Sequence, residues 1–489
     1  MVFVQVILAV GIVLIVMIVL STIWSLHSKR PIFKFAQKYQ VFDKFHPIFG
    51  NLLELKDFSF QQLFTKKVFK KDRPFGFWLG HNYYYMPDNS EEISQILTHA
   101  NSMDKADIYK VYKSAVWSGI FLLPAIQWKP KRKLMSKNFR PITLNSFTPV
   151  FYKNSKLLVE EFGDMKNEDI FDVCIGYTLR AFIETMGHKN HHFQPGETSK
   201  IAKCIDLGQR IAGDNIVKYT SGYLLFFWIW TDIMDLIKLI KSVMAFKTLL
   251  RQIFGEREKE IRENSPTSNI LLDSLIQADR KVYTKYAAYT DFVTFAFAAV
   301  DTSGNTLAFL LTLLGMHPDI QDKVYKEILE EIGLDRAIEV QDLPKLKYVE
   351  RVIFETLRLF PIAPVIGRYT TKDVICGTQT IPKGVNIMIS ILDVHRNERY
   401  WTDPLKFDPD RFLPEEIAKR PSSYYIPFST GPRNCIGKTY ALLSLKVVVA
   451  TVVRHYRMSS NYKSVEEMDL RSLFTMRTTH NLDCQLTPR

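Results

Sequence analysis

The hydrophobic pattern is strongest at the start of the chain. Residues 2–24 carry no Asp, Glu, Lys or Arg, and Val6–Leu20 is apolar apart from Gly11. At about 1.5 Å per helical residue the uncharged stretch 2–24 reaches about 34 Å, enough to cross a bilayer core of about 30 Å. A cleaved signal peptide would need a basic start, a shorter apolar stretch and a small-residue cleavage site, and none is present. The first charges, Lys29 and Arg30, follow the run, with Pro31 next. Basic residues stay on the cytoplasmic side, so the pattern predicts a single-pass anchor over 1–25 with the rest facing the cytosol. The alternative, a buried core helix, fits poorly at an N-terminus.

Residues 26–50, with Pro31, Pro47 and Gly50, read as a linker. Beyond it no Gly/Ser-rich spacer or repeat interrupts the chain, which predicts one large domain over 51–489. Apolar spacings of three and four predict helices at Ser155–Phe162, Asn269–Ala278, Ala287–Leu314, Ile320–Ile332, Leu346–Phe360 and Ala441–His455. Shorter strand-like pieces lie at Pro74–Leu79 and Val385–Ile391, and residues 264–269 read as a turn. The expected class is mainly α with small β-sheets.

Composition adds limits. A chain with 47% hydrophobic and 24% charged residues folds. The net charge of +13 favours an anionic partner, and with no zinc-finger or aromatic-basic motif a lipid surface or acidic protein suits it better than nucleic acid. The cysteines Cys174, Cys204, Cys376, Cys435 and Cys484 are odd in number and widely spaced. They make neither a disulfide framework nor a zinc site and leave room for one cysteine acting alone.

That cysteine is Cys435, in Phe428-Ser-Thr-Gly431-Pro-Arg433-Asn-Cys435-Ile-Gly437. The glycines let the backbone approach a flat ligand closely. Arg433 and the helix expected just beyond favour thiolate over thiol. Such a sulfur is either a nucleophile or a metal ligand.

The segment resembles the Phe-x-x-Gly-x-Arg-x-Cys-x-Gly signature of the cytochrome P-450 superfamily at all its fixed positions. The resemblance implies a cytochrome P-450 fold, with Cys435 as axial ligand to heme iron and Arg433 on a heme propionate. Phe428 and Gly437 then shape the pocket beside the sulfur. A thiolate ligand favours cleavage of the O–O bond. Three further segments agree in order. Glu355-Thr-Leu-Arg358 places an acid and a base on one helix face, and with Arg411 in Phe407-Asp-Pro-Asp-Arg411-Phe412 it is similar to the structural Glu–Arg–Arg triad of the superfamily. Ala298-Ala-Val-Asp301-Thr302 lies inside an apolar helix, where an acid beside a hydroxyl is costly unless bonded or functional; a satisfied helix bend is the plainer reading. It resembles the oxygen-activating helix, with Asp301 and Thr302 delivering protons and Ala299 in place of the usual Gly. Trp128-Lys-Pro-Lys-Arg132 is similar to the Trp-x-x-x-Arg element, whose side chains bond a propionate, with Pro130 in the first turn of the helix. Arg368 holds another position that often meets a propionate.

The resemblance is dense from Tyr289 onward, faint over 150–285, and closest to the family-4 group, including insect-type members, which often oxidise fatty acids and related lipids. It implies a monooxygenase placing one atom of dioxygen into a hydrophobic small molecule by hydroxylation or epoxidation. The cofactor is heme b (iron-protoporphyrin IX), non-covalent because Ala298 replaces a Glu that bonds heme in some relatives. Electrons come from NADPH through a separate cytochrome P-450 reductase, with cytochrome b5 as auxiliary donor, at the endoplasmic reticulum membrane. Lys129, Lys131, Lys133, Lys137 and Arg140 form the expected docking face, or a merely solvated one. Pocket candidates by position are Phe295, Ala298, Ala299, Ile362, Val365 and Phe474, and Leu224–Trp230 is either a pocket roof, a membrane contact or plain core. Two alternatives remain: a heme-thiolate isomerase or dehydratase of lipid peroxides, and a non-catalytic heme-binding membrane protein. Asp301–Thr302 argues against both.

Overall fold

The computed structural model describes residues 29–39, 46, 50–51 and 74–489, apart from residues 88, 115–118, 166–168, 189–190, 194–195, 215–232, 282 and 473–474. The predicted anchor, Leu224–Trp230 and Phe474 lie outside the described residues. Among the described residues one helix is long and apolar enough to cross a membrane, and most of it is buried inside the protein.

Helix α1 (Arg30–Tyr39) falls within the stretch expected to be a linker. Pro31 sits in its first turn, where a missing N–H costs nothing. Its apolar face packs on the sheet, with Phe35 edge-on to Tyr85 at 5.1 Å and Phe33 stacked on Trp78 at 4.9 Å. The hairpin of β1 (Phe75–Leu79) and β2 (Asn82–Met86) continues into β6 (Asn386–Ser390) and β3 (Val365–Tyr369), giving the order β1-β2-β6-β3. Two-stranded pieces add β4 (Val374–Cys376) with β5 (Gln379–Ile381), β7 (Tyr456–Ser459) with β10 (Gln485–Pro488), and β8 (Leu470–Ser472) with β9 (Met476–Thr478).

The rest is mainly helical, as expected. The longer helices after α1 are α2 (Ser90–Thr98), α3 (Ala125–Met135), α4 (Thr148–Asp164), α5 (Ile170–Phe182), α6 (Glu197–Asp214) and α7 (Ile233–Arg262). They continue with α8 (Leu271–Ile276), α9 (Lys285–Met316), α10 (Pro318–Glu331), α11 (Lys347–Leu359) and α12 (Lys438–His455). Helix α9 runs through the middle of the core. It lies tightly on α5: Phe171 meets Phe309 edge-on at 5.3 Å, and a Cβ at Gly304 would sit 2.7 Å from Ile175. Helix α12 packs on α4, with Tyr440 edge-on to Phe151 at 5.2 Å. The periodicity of α9 located its ends to within two residues. It did not locate α5, which is buried on every side and therefore carries no amphipathic stripe. The turn expected over 264–269 is real, and Asn264 adopts φ 64 there.

Candidate active site

Two features mark a hollow in the core. From Thr290 to Gly315 every residue of α9 is buried except Ala298, Ala299 and Thr302. These share one helix face, so that face looks onto empty space rather than packed side chains. Cys435 is open to a water-sized probe, yet burial is the main influence on its thiol. A side chain both accessible and dehydrated lines an internal cavity.

The loop before α12 presents that sulfur. Ser429 and Gly431 take the left-handed φ values 58 and 75, and the Cys435 N–H donates to the Phe428 carbonyl at 2.9 Å. A Cβ on Gly431 would lie 2.3 Å from the Leu97 carbonyl oxygen, so only glycine fits beneath α2. The backbone N–H groups of Gly437 and Lys438 donate to the sulfur. The sequence led us to expect a thiolate favoured by its surroundings, and the structure corrects this. Burial raises the Cys435 pKa and outweighs those donors and the Arg132 and Lys105 charges. A directly bonded cation is what holds such a sulfur deprotonated.

Cations gather beside the loop. Arg433 lies 4.4 Å from the Trp128 ring, and burial, with Arg368 adding to it, pushes the Arg433 pKa down to about 9. Arg368 is 1% exposed, and its Nε and Nη2 find no hydrogen-bond partner among the described residues. Burial lowers its pKa too. Arg132, on the helix that also carries Trp128, donates its guanidinium to the Asn434 carbonyl and Oδ1, both at 3.1 Å, and braces the cysteine loop. Pro130 is not in the first turn, because α3 starts at Ala125, whose N–H donates to Asp104 Oδ1 at 2.7 Å. A cation that sequence reasoning missed, Lys105, joins the group. Burial, then the charges of Arg368 and Arg433, hold its pKa well below the ordinary value. No local motif surrounds it.

Asp301 and Thr302 point to different places. Thr302 Oγ1 donates to the Ala298 carbonyl at 2.7 Å on the open face. Asp301 is fully buried, with Asn305 Nδ2 at 3.3 Å and Arg477 Nη2 at 4.0 Å. Arg477 in turn pairs with Asp206 of α6 at 2.8 Å. Burial raises the Asp301 pKa, and Arg477 pulls against it.

Of the pocket candidates, Ala298, Ala299 and Val365 are half-buried, Ile362 is buried, and Phe295 is buried and stacked on Phe139 at 5.8 Å. The triad assembles: Arg358 Nε meets Glu355 at 2.7 Å, both buried, and Arg411 Nε lies 3.5 Å from Glu355. Lys129, Lys133, Lys137 and Arg140 are exposed, but Lys131 turns inward to Asp291 at 3.2 Å and leaves the basic face.

The residues fit the group that the sequence resemblance implies. A heme offers a flat apolar ring, two carboxylates and an iron. Here a small-residue helix face, a reachable buried sulfur and buried guanidiniums with unpartnered nitrogens surround one hollow.

Comparisons with known proteins agree. The family model described as cytochrome P-450 matches residues 42–484. The human protein cytochrome P-450 4V2 is 28% identical, over 94% of this chain and 90% of its own length. Cytochrome P-450 4c21 of Blattella germanica is 30% identical over 80% and 81%. The Drosophila melanogaster protein named probable cytochrome P-450 4ac1 is 28% identical over 90% and 89%.

Proposed function

The chain belongs to the cytochrome P-450 family, within its family-4 group, and is a heme-dependent monooxygenase; from this premise we propose that it oxidises a long-chain lipid, by hydroxylation or epoxidation, with Cys435 as the iron ligand. The observation that carries the site is a sulfur both accessible and dehydrated at the N-terminus of α12. Bound heme supplies the binding and reductive activation of dioxygen.

The chain's own residues supply the rest. Phe428 and Gly437 flank the sulfur and limit water around it. Arg433, Arg368, Trp128 and Arg132 would hold the heme carboxylates, with Arg433 lying over the Trp128 ring and Arg132 also fixing the loop through Asn434. Ala298, where some relatives carry a Glu, offers no carboxyl for an ester, so the heme is held non-covalently. Thr302 Oγ1 holds a proton on the open helix face. Asp301, about 100° round the helix, is held on the Arg477 side and is the neighbouring acid from which Thr302 would be resupplied with a proton. Apolar walls from Ile362, Val365 and Ala299 suit an aliphatic chain and keep the site dry.

Residues 1–25 then anchor the protein in the endoplasmic reticulum membrane, and the domain faces the cytosol. The exposed Lys129, Lys133, Lys137 and Arg140 dock an acidic, NADPH-dependent reductase, with cytochrome b5 as a second donor. The carbon monoxide difference spectrum of the dithionite-reduced protein tests the core of this reading. A band near about 450 nm, the mark of thiolate ligation, should appear and be lost in Cys435→Ser. A folded protein without any heme band refutes it.

A further inference from the structure

One carboxylate on α9 holds two other parts of the chain. Asp291 is fully buried; its Oδ1 accepts the Ile120 N–H, and its Oδ2 meets Lys131 Nζ of α3 at 3.2 Å. The backbone at Gly119 lies directly on the helix: a Cβ there would sit 2.5 Å from Asp291 Oδ1 and from Thr294 Oγ1, and 2.8 Å from the Thr290 carbonyl oxygen. Asp291, Phe295, Ala298 and Thr302 follow one stripe of α9 at spacings of four, three and four. Gly119–Ile120 therefore closes the open helix face about 10 Å along the axis from Ala298. Just beyond, the Leu123 carbonyl accepts from Arg433 of the cysteine loop, and α3 begins two residues later.

Asp291 depends on Lys131 for its charge. Burial pushes the Asp291 pKa up to about 6, and Lys131 is the main influence against it. Among the described residues no other cation lies within salt-bridge distance of this acid. Lys131 rests 4.2 Å from the Tyr283 ring centroid, and its side chain is still 15% exposed. Its neighbours Lys129 and Lys133 are exposed. An acidic partner seated on those two attracts Lys131 as well and competes with Asp291 for it. A buried carboxylate that loses its cation must take up a proton or shift. Either change weakens the charge-assisted bond to the Ile120 N–H.

We infer that the Lys131–Asp291 pair couples the electron-donor face of α3 to the Gly119–Ile120 wall of the cavity, so that donor binding loosens the wall. This rests on the donor-docking reading above. The coupling is reciprocal: a molecule that shifts the wall alters donor affinity by the same factor. The connection is short, because one ion pair and one hydrogen bond share a single carboxylate.

The test uses the full-length holoprotein and follows amide hydrogen exchange of the peptide that contains Ile120. With oxidised NADPH-dependent reductase at saturating concentration, wild type should exchange there about fivefold faster or more, the lower end of ordinary coupling between two sites. Lys131→Met should exchange faster than wild type without the reductase and gain nothing when it binds. Asp291→Asn, which keeps an acceptor for Ile120 and needs no cation, should likewise show no response. Lys129→Gln, which weakens docking but leaves the pair intact, should respond as wild type does once saturated. Unchanged or slower exchange in the saturated wild type overturns the inference. An equal acceleration in Lys131→Met or Asp291→Asn overturns it too, because the signal would then travel by another route. Failure of the reductase to bind the holoprotein at all would refute the docking reading instead, which keeps the two failures distinct.

Discussion

Arg477 is the cation that the acids Asp172, Asp206 and Asp301 share. It is 3% exposed and lies 2.8 Å from Asp206, 4.0 Å from Asp172 and 4.0 Å from Asp301, while its Nε donates to Asn305 at 3.1 Å. Arg477→Met keeps the bulk and removes the charge. Breaking a buried ion pair from one side costs about 3–5 kcal/mol, because the remaining charge is left uncompensated. The penalty should depend on pH in a direction that the acids dictate. Burial raises the Asp172 pKa to about 6, with Arg477 opposing, and raises Asp301 as well. Stability tied to these two groups is complete below their unfolded value of about 3.9 and is lost as pH rises through the folded value. Without Arg477 both rise further, so the variant forfeits more than wild type between pH 6 and 8. A tenfold change in either ionisation constant is about 1.4 kcal/mol. Asp206 behaves oppositely: burial works against it, but Arg477 and Arg471 hold its pKa below the ordinary value. Its contribution is present above the unfolded pKa and is lost only in stronger acid, so it cannot mask the trend. Urea unfolding followed by pulse proteolysis, at about pH 5 and pH 8, should show a gap between variant and wild type that is larger at pH 8 by about 1–3 kcal/mol. A gap independent of pH would refute the electrostatic account and leave Arg477 a packing residue.

Two further outcomes are expected. Glu355→Gln removes the charge facing Arg358, which is fully buried and donates also to the carbonyls of His395, Pro404 and Lys406; the variant should be less stable by about 3 kcal/mol or more, read as a lower urea midpoint, and a change under about 1 kcal/mol would mean that the carbonyls alone hold Arg358. Gly431→Ala meets both a left-handed φ and the Leu97 carbonyl, so the cysteine loop must shift; the fraction of protein with a thiolate-type carbon monoxide band should fall severalfold at unchanged helix content by circular dichroism, and an unaltered spectrum would show that the loop absorbs the methyl.

Much of the site was legible locally. Cys435 sits in a turn whose glycines and following helix are set by neighbours in sequence, and Glu355 and Arg358 are held together by helix geometry alone. The long apolar run of α9 reads as a helix whatever surrounds it, because its hydrogen bonds are internal. Helices α5, α6 and α7 were not legible: α5 has no polar face, and the charged C-terminal end of α7 blurs any apolar stripe.

Side-chain direction and electrostatic partners were decided only by the tertiary structure, because they depend on residues far away along the chain. Asp301 and Thr302 are adjacent in sequence, yet one faces Arg477 and the other the open cavity. Arg132 braces Asn434, and Lys131 turns to Asp291. Lys105 belongs to no pattern and gains its meaning from the packing of Ala106 on Gly367, which sets it beside Arg368. Sequence alone determined which chemistry the chain carries, since that depends on residue types at short spacing. Which charges meet, and whether burial or a neighbouring ion governs each, followed from the fold, because dielectric surroundings are a property of the packed molecule.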